Sequence, residues 1–186
     1  FSESCNTAFV SLADSLEADD LTTAAKTLGI GAGWADTVGV TGAFDGSVPA
    51  TTGGTDAAAA SIGQGRVEVS PLALAVMSGS IGRGTFLAPV LVKGPEATTP
   101  RPSPIDGKAV ADLRAMMLSV GAGGSGAQAS GAPGGQLRGK TGTAEYGTDP
   151  DAPPRVWFTG YQGDVAFAVL VEEGTSGGTV AAPIAK

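Results

Sequence analysis

Apolar residues recur at helical spacing through the first two thirds of the chain and switch to strand-like runs in the last third. Phe9, Leu12, Ala13 and Leu16 fall on one face and predict a helix over residues 7–18, with Asn6 at the N-cap position. A second helix is expected from Leu21 to Leu28, started by Asp19 or Asp20 and stopped by Gly29. Residues 31–60 are rich in Gly and Thr without a clear period and read as loop, with room for a short hairpin. Ser70-Pro71 is a cap followed by a proline suited to the first helical turn. Leu72, Ala75, Val76 and Gly79 then share a face, and Gly82 or Gly84 ends that helix. Phe86–Val92 reads as a short extended piece. Asp106 caps a further helix, with Val110, Leu113, Met117 and Val120 inward and Gly121 just past its end. Residues 121–136 read as a Gly/Ser/Ala linker.

Three strands follow, at Leu137–Glu145, Val156–Gln162 and Val165–Glu172. The first connection carries a Pro-rich breaker over 149–154, and Gly163-Asp164 makes a tight turn in the second. The last strand is apolar throughout, which predicts a central place in the sheet with both faces covered. Helices first and a meander last predict an α+β domain: 1–135 mainly helical lobe and loops, 136–186 three strands and the start of a C-terminal helix at Thr179–Lys186. The chain opens in the run-up to a helix and stops within one, so it is expected to be part of a longer domain.

Composition narrows the chemistry. Hydrophobic residues make up 42% of the 186, enough to build a core. The net charge of −7 comes with scattered Lys and Arg, so no basic stripe marks a nucleic-acid surface. The absence of histidine removes Ser-His-Asp and Cys-His catalysis and most zinc sites. Cys5 is the only cysteine, which rules out an intrachain disulfide; it is expected to be a small buried hydrophobe. No stretch is long and apolar enough to span a bilayer. Acid–base work is left to Lys, carboxylates, Tyr and hydroxyls.

Two short motifs supply that chemistry. Lys140-Thr141-Gly142-Thr143 lies on the first predicted strand, and Ser4-Cys5-Asn6 lies at the mouth of the first helix. Three further blocks keep them company: Ser61-Ile62-Gly63-Gln64-Gly65, Val69-Ser70-Pro71-Leu72 and Trp157-Phe158-Thr159-Gly160-Tyr161. In identity and order these resemble the recurrent blocks of class B penicillin-binding proteins, whose transpeptidase domains pair S-x-N and K-T-G with an S-x-x-K nucleophile. The resemblance implies a β-lactamase/transpeptidase-like α+β fold, an antiparallel sheet flanked by helices, with the cleft between the sheet edge and a helical lobe. No Ser here is followed by Lys three residues on. The nucleophile, its lysine and two N-terminal strands are therefore expected in an upstream segment or second chain.

The resemblance also assigns roles, each with a plainer alternative. Lys140 is a fixed positive charge for the substrate's terminal carboxylate, or a solvated edge-strand lysine. Thr141 and Thr143 alternate onto one face and offer hydroxyls to that carboxylate, though threonine is also a good strand former. The backbone N–H of Thr143 is one oxyanion-hole donor. Gly142 lets the peptide approach the strand, or marks a bulge. Ser4 relays a proton to the leaving amine, and Asn6 holds the substrate amide; either can also serve as a cap. Gly63–Gly65 is expected to shape a turn behind the cleft. Trp157, Phe158 and Tyr161 are expected in the core or cleft wall.

The implied function is a peptidoglycan D,D-transpeptidase that works through a serine acyl-enzyme without metal or organic cofactor. Its implied partners are stem peptides, β-lactams and cell-wall synthesis proteins. The implied location is the extracytoplasmic face of the bacterial membrane, with an anchor upstream of this chain. A D,D-carboxypeptidase, a serine β-lactamase, a β-lactam-binding scaffold and an unrelated Gly-rich binding domain remain as alternatives.

Overall fold

The computed structural model describes residues 1–91, 101–147, 149 and 151–186. Two helices form where their punctuation predicts. Helix α4 (Pro71–Arg83) begins with Ser70 Oγ accepting the Ala73 N–H at 3.1 Å. It ends at Gly84, whose φ of +79° is left-handed backbone that a residue with a Cβ adopts only at a cost. Helix α5 (Gly107–Gly121) is capped by Asp106, which accepts the Ala109 N–H at 2.8 Å, and runs one residue further than expected. Helix α2 (Asp20–Thr27) is preceded by a turn in which the Asp20 carboxylate accepts the Glu17 N–H.

The helix expected over 7–18 is broken. Helix α1 spans only Asn6–Val10, and a 3₁₀ turn follows at Ala13–Ser15. The hydroxyls of Ser11 and Ser15 donate back to the carbonyls of Ala8 and Leu12 at 2.8 and 2.6 Å, offering the backbone an alternative to the helical ladder. Within the expected loop lies helix α3 (Gly54–Ser61), built from an alanine run with no apolar period to reveal it. The hairpin expected there is a single bridge between Ser47 and Glu68. The extended piece after α4 is a two-residue strand, β1 (Thr85–Phe86), paired with β2 (Ser103–Pro104); Val92 lies outside the described residues.

Strands β3 (Arg138–Ala144), β4 (Arg155–Gln162) and β5 (Val165–Val171) form an antiparallel sheet in that order. Lys140 lies opposite Thr159, and Thr159 opposite Ala168. Among the described strands β4 lies in the middle, with Val156 and Phe158 fully buried, and β5 lies at the edge; its predicted central place requires the strands expected from the upstream segment. The two covered faces that the run predicted are present. Helix α4 covers one face of β5, while Phe167, Val169 and Val171 pack on the core behind the other.

Both faces of the sheet are covered. Behind it, Val120, Ala129, Leu137, Val156, Phe158, Ala181 and Ala182 form one core. In front, α4 packs through Ile81 against Tyr161 and Met117. The buried hydroxyl of Thr159 ties the layers there, 2.7 Å from Ser78 Oγ and 3.1 Å from the Leu74 carbonyl. The segment 121–136 is built into the rear core, contrary to the flexibility its composition implied. It holds a 3₁₀ turn at Ala127–Ala129, and Ala129 is fully buried. The chain finishes in a π-helical turn (Gly177–Ala181), capped by Ser176, that runs into α6 (Ala182–Ile184). The architecture is the expected α+β arrangement of an antiparallel sheet flanked by helices.

Candidate active site

In β3 the residues paired closely with β4 alternate with residues whose backbone faces away from it. Two side-chain contacts identify the outward set. Lys140 Nζ donates to the Thr141 carbonyl at 2.8 Å, and Gln64 Nε2 donates to the Thr143 carbonyl at 3.4 Å. Thr141 and Thr143 thus point their backbone groups at the edge that no described strand occupies.

At that edge Lys140 meets the N-terminal motif. Its ammonium donates to Ser4 Oγ at 2.7 Å across 136 residues of sequence. The Phe1 ring lies 5.6 Å from the same nitrogen, a cation–π approach, and Phe9 meets Phe1 edge-on. Burial pushes the Lys140 pKa down to about 8. With its oxygen accepting from Lys140, Ser4 keeps its own proton free to donate elsewhere. Ser4 holds a φ of +53°, and among the described residues it is the only non-glycine at positive φ. Such strain is sustained only where the surroundings over-determine it. The Ser4 N–H donates to the Phe1 carbonyl at 3.1 Å, closing the turn that aims the hydroxyl.

Asn6 opens α1 two residues on, exposed at the same mouth, and Cys5 takes the cap position expected of it. Cys5 is exposed, which corrects the expectation of a buried hydrophobe. A residue at the start of a five-residue surface helix has no layer above it. Its Sγ lies 3.2 Å from Thr7 Oγ1, and this contact, followed by a backbone hydrogen bond at Ala8, pushes the thiol pKa down.

Thr141 and Thr143 share a face, as alternation requires, but only one hydroxyl is accessible. Thr141 is 8% exposed, with its Oγ1 2.7 Å from Ser125 Oγ. Thr143 is exposed, and its Oγ1 accepts the Gly177 N–H at 3.4 Å. Thr141 is covered because residues 121–136 pack on its face. Gly142 stays in regular register opposite Trp157, so no bulge is present. Gly177 lies directly behind it: a Cβ there would come within 2.9 Å of the Gly142 nitrogen. Phe158 and Tyr161 are core residues, as expected.

Gln64 and Ser125 reach the β3 motif without having been assigned to it from the sequence. Gln64 was expected behind the cleft, yet it extends to the K-T-G-T strand from a turn held by the positive-φ glycines 63 and 65. A polar residue between two turn glycines is the one local signal for it. Nothing local marks Ser125, whose partner lies on a separate strand. Among the described residues, no group of His, Cys, Asp and Glu could hold a metal ion.

Comparison with known proteins places this geometry. The family model for the penicillin binding protein transpeptidase domain matches residues 1–186. Peptidoglycan D,D-transpeptidase PbpA of Mycobacterium tuberculosis is 36% identical over all of this chain and 41% of its own length. The PbpA of Mycolicibacterium smegmatis is 37% identical with the same coverage. The chain thus spans about two fifths of the curated relatives it matches. The crystal structure of PBPA from M. tuberculosis superposes with a TM-score of 0.84 at 33% identity, covering 99% of this chain and 48% of that one. Its imipenem acyl-enzyme complex gives 0.81 at 30%, covering 98% and 44%. By sequence over its whole length and by fold, the chain belongs to the penicillin-binding protein transpeptidase domain family.

Proposed function

We propose that this chain is the C-terminal part of the catalytic domain of a peptidoglycan D,D-transpeptidase, completed by a segment that carries the S-x-x-K serine. The carrying observation is the 2.7 Å contact between Lys140 Nζ and Ser4 Oγ, which brings the two motifs to one edge of β3. The serine attacks the penultimate D-Ala carbonyl of a stem peptide, D-Ala leaves, and an amine of a second stem takes the acyl group. Lys140 and the accessible Thr143 hydroxyl hold the terminal carboxylate. Thr141, braced by Ser125, and Gly142 fix the strand they stand on. The outward Thr143 N–H stabilises the oxyanion. Ser4, oriented by Lys140, passes its proton to the leaving amine and is reprotonated by its neighbours. Asn6 binds the substrate amide from the helical side.

A β-lactam offers the same carbonyl and carboxylate, and the M. tuberculosis relative forms an acyl-enzyme with imipenem. The residues involved require neither metal nor organic cofactor. The site's place is the extracytoplasmic face of the membrane, where peptidoglycan lies. No described helix is long and apolar enough to cross a membrane, so we assign the anchor to a segment outside this chain.

The test is acylation of the complete protein by a fluorescent penicillin. Lys140→Ala and Ser4→Ala should each slow labelling about 100-fold or more. Labelling at the unmodified rate in both variants would remove the site assignment. A donor peptide supplied with and without an acceptor amine separates transfer from hydrolysis.

A further inference from the structure

The Thr143 carbonyl is the atom an acyl donor needs, and in this structure a side chain holds it. An extended peptide that lines up antiparallel to a free strand edge pairs with an outward residue twice. It places a carbonyl on that residue's N–H and an N–H on that residue's carbonyl. Thr143 is such a residue, and a donor whose reacting carbonyl sits on its N–H brings its own amide N–H to its carbonyl. That position is taken by Gln64 Nε2 at 3.4 Å.

The two ends of Gln64 are held very differently. Its backbone N–H donates to the Ala59 carbonyl at 2.9 Å, at the C-terminal end of α3. Arg66, two residues on, forks onto Asp56 at 2.6 and 3.0 Å and donates to the Ala50 carbonyl at 2.7 Å. The turn is therefore pinned. The carboxamide at its tip makes a solvent-exposed contact at the long limit for a hydrogen bond, which binds weakly and is readily exchanged. A firm base with a loosely held tip suits a group that must leave when its place is needed. It suits a structural tie poorly, since a tie would be short and buried.

We propose that Gln64 is a specificity residue that occupies the Thr143 carbonyl in the free site and competes with the amide N–H of the incoming acyl donor. The inference rests on the transpeptidase reading. Donors that carry an amide N–H beside the reacting carbonyl must displace Gln64. Donors that lack it can acylate with Gln64 in place, and Gln64 then keeps the carbonyl satisfied.

The experiment uses the complete protein and its Gln64→Met and Gln64→Ala variants. Met keeps the side-chain length and removes the donor; Ala removes both. Rapid acylation kinetics, which separate the dissociation constant of the non-covalent complex from the acylation rate constant, are measured with a penicillin and a carbapenem. The penicillin has a side-chain amide N–H and the carbapenem has none. In both variants the penicillin's dissociation constant should fall about two- to fivefold, the worth of one weak exposed hydrogen bond. The carbapenem's should move less, or rise. An unchanged or raised constant for the penicillin overturns the inference, as does an equal shift for both compounds. A loss confined to the acylation rate constant also overturns it, because it would make Gln64 a brace for the strand. Because Met conserves the fold best, its result decides if Ala lowers the melting temperature. If neither compound acylates the unmodified protein, the transpeptidase reading itself fails, a result that no Gln64 outcome can imitate.

Discussion

Lys140 sets the pH behaviour of the site, because its side chain is partly withdrawn from water while its ammonium is asked to stay charged. Burial alone lowers its pKa from 10.5 to about 8. Between those values the unfolded chain binds the proton more tightly than the folded one, so stability rises with pH over roughly 8 to 10.5 and gains nothing from this group below that range. Activity should run the other way. The neutral amine no longer attracts a carboxylate and no longer fixes Ser4 by a charged hydrogen bond. The second-order acylation rate of the complete protein should therefore fall as pH rises through about 8. In Lys140→Arg the guanidinium stays charged at every accessible pH, so the fall near 8 should disappear, though the overall rate is lower because a planar fork does not replace a compact ammonium. A profile with the same break in both proteins would assign the ionisation to another group. The neighbours that make Lys140 special were only partly legible. Ser4 and Asn6 could be named from their spacing, whereas the Phe1 ring above the ammonium could not, since a lone aromatic carries no sign of what it will face.

At the scale of elements, strong punctuation made structure legible and its absence hid it. Helices α4 and α5 were readable because Ser70-Pro71, Gly84 and Asp106 mark their ends with residues that can do little else there. Helix α3 was not, because four alanines give propensity without a face. Helix α1 was overextended because Leu12 and Leu16 have helical spacing but stand exposed. The apolar run of β5 was legible as two covered faces, whereas the pairing of its outer edge depends on strands that this chain does not supply. The rear support of the K-T-G-T strand was hidden for a further reason: no local pattern marks Gly177 as a glycine that serves close approach. Gly177 lies against the backbone of Gly142 and Trp157, and any Cβ would displace one of them. Gly177→Ala should therefore destabilise the complete protein by about 1–3 kcal/mol, the usual cost of overpacking. It should also slow β-lactam acylation beyond what lost folding explains, because the displaced segment carries the Thr143 N–H. Denaturant melts alongside acylation rates of the folded fraction check both. A variant with unchanged stability would mean that the π-helical turn moves away freely and does not fix the strand.

The whole molecule leaves apolar surface without cover at one place in particular. Among the described residues, β5 presents its outer edge to no other strand, and Val165 is 67% exposed. Beside that edge, Val76, Gly79, Leu87, Ala88, Pro89 and Ala166 line a groove between α4 and the segment after β1. On the helical side Leu12 and Leu16 stand in solvent. A long apolar strand with an open edge is a template for pairing, and natural sheets do not leave such an edge bare. The S-x-x-K segment that the mechanism requires is proposed to bring strands of its own, and β5 is where they have most to gain by docking. One segment would then close the sheet and deliver the nucleophile to the cleft between β3 and α1. This chain expressed by itself should accordingly bind an apolar dye, associate with itself, and melt below the complete protein. Co-expression with the upstream segment as a separate polypeptide should restore a single cooperative transition and penicillin labelling together. Residues of β5 opposite Phe158 and Gly160 bond to β4, so the outer edge is carried by the alternate residues, and replacing Ala168 by Pro tests it directly. Proline deletes a backbone donor from β5 and obstructs pairing in a strand interior. Loss of labelling on co-expression, in a chain whose own melt is already low, locates the docking on β5. If labelling survives Ala168→Pro, the segment is held by the helical lobe instead, through the face that carries Leu12 and Leu16.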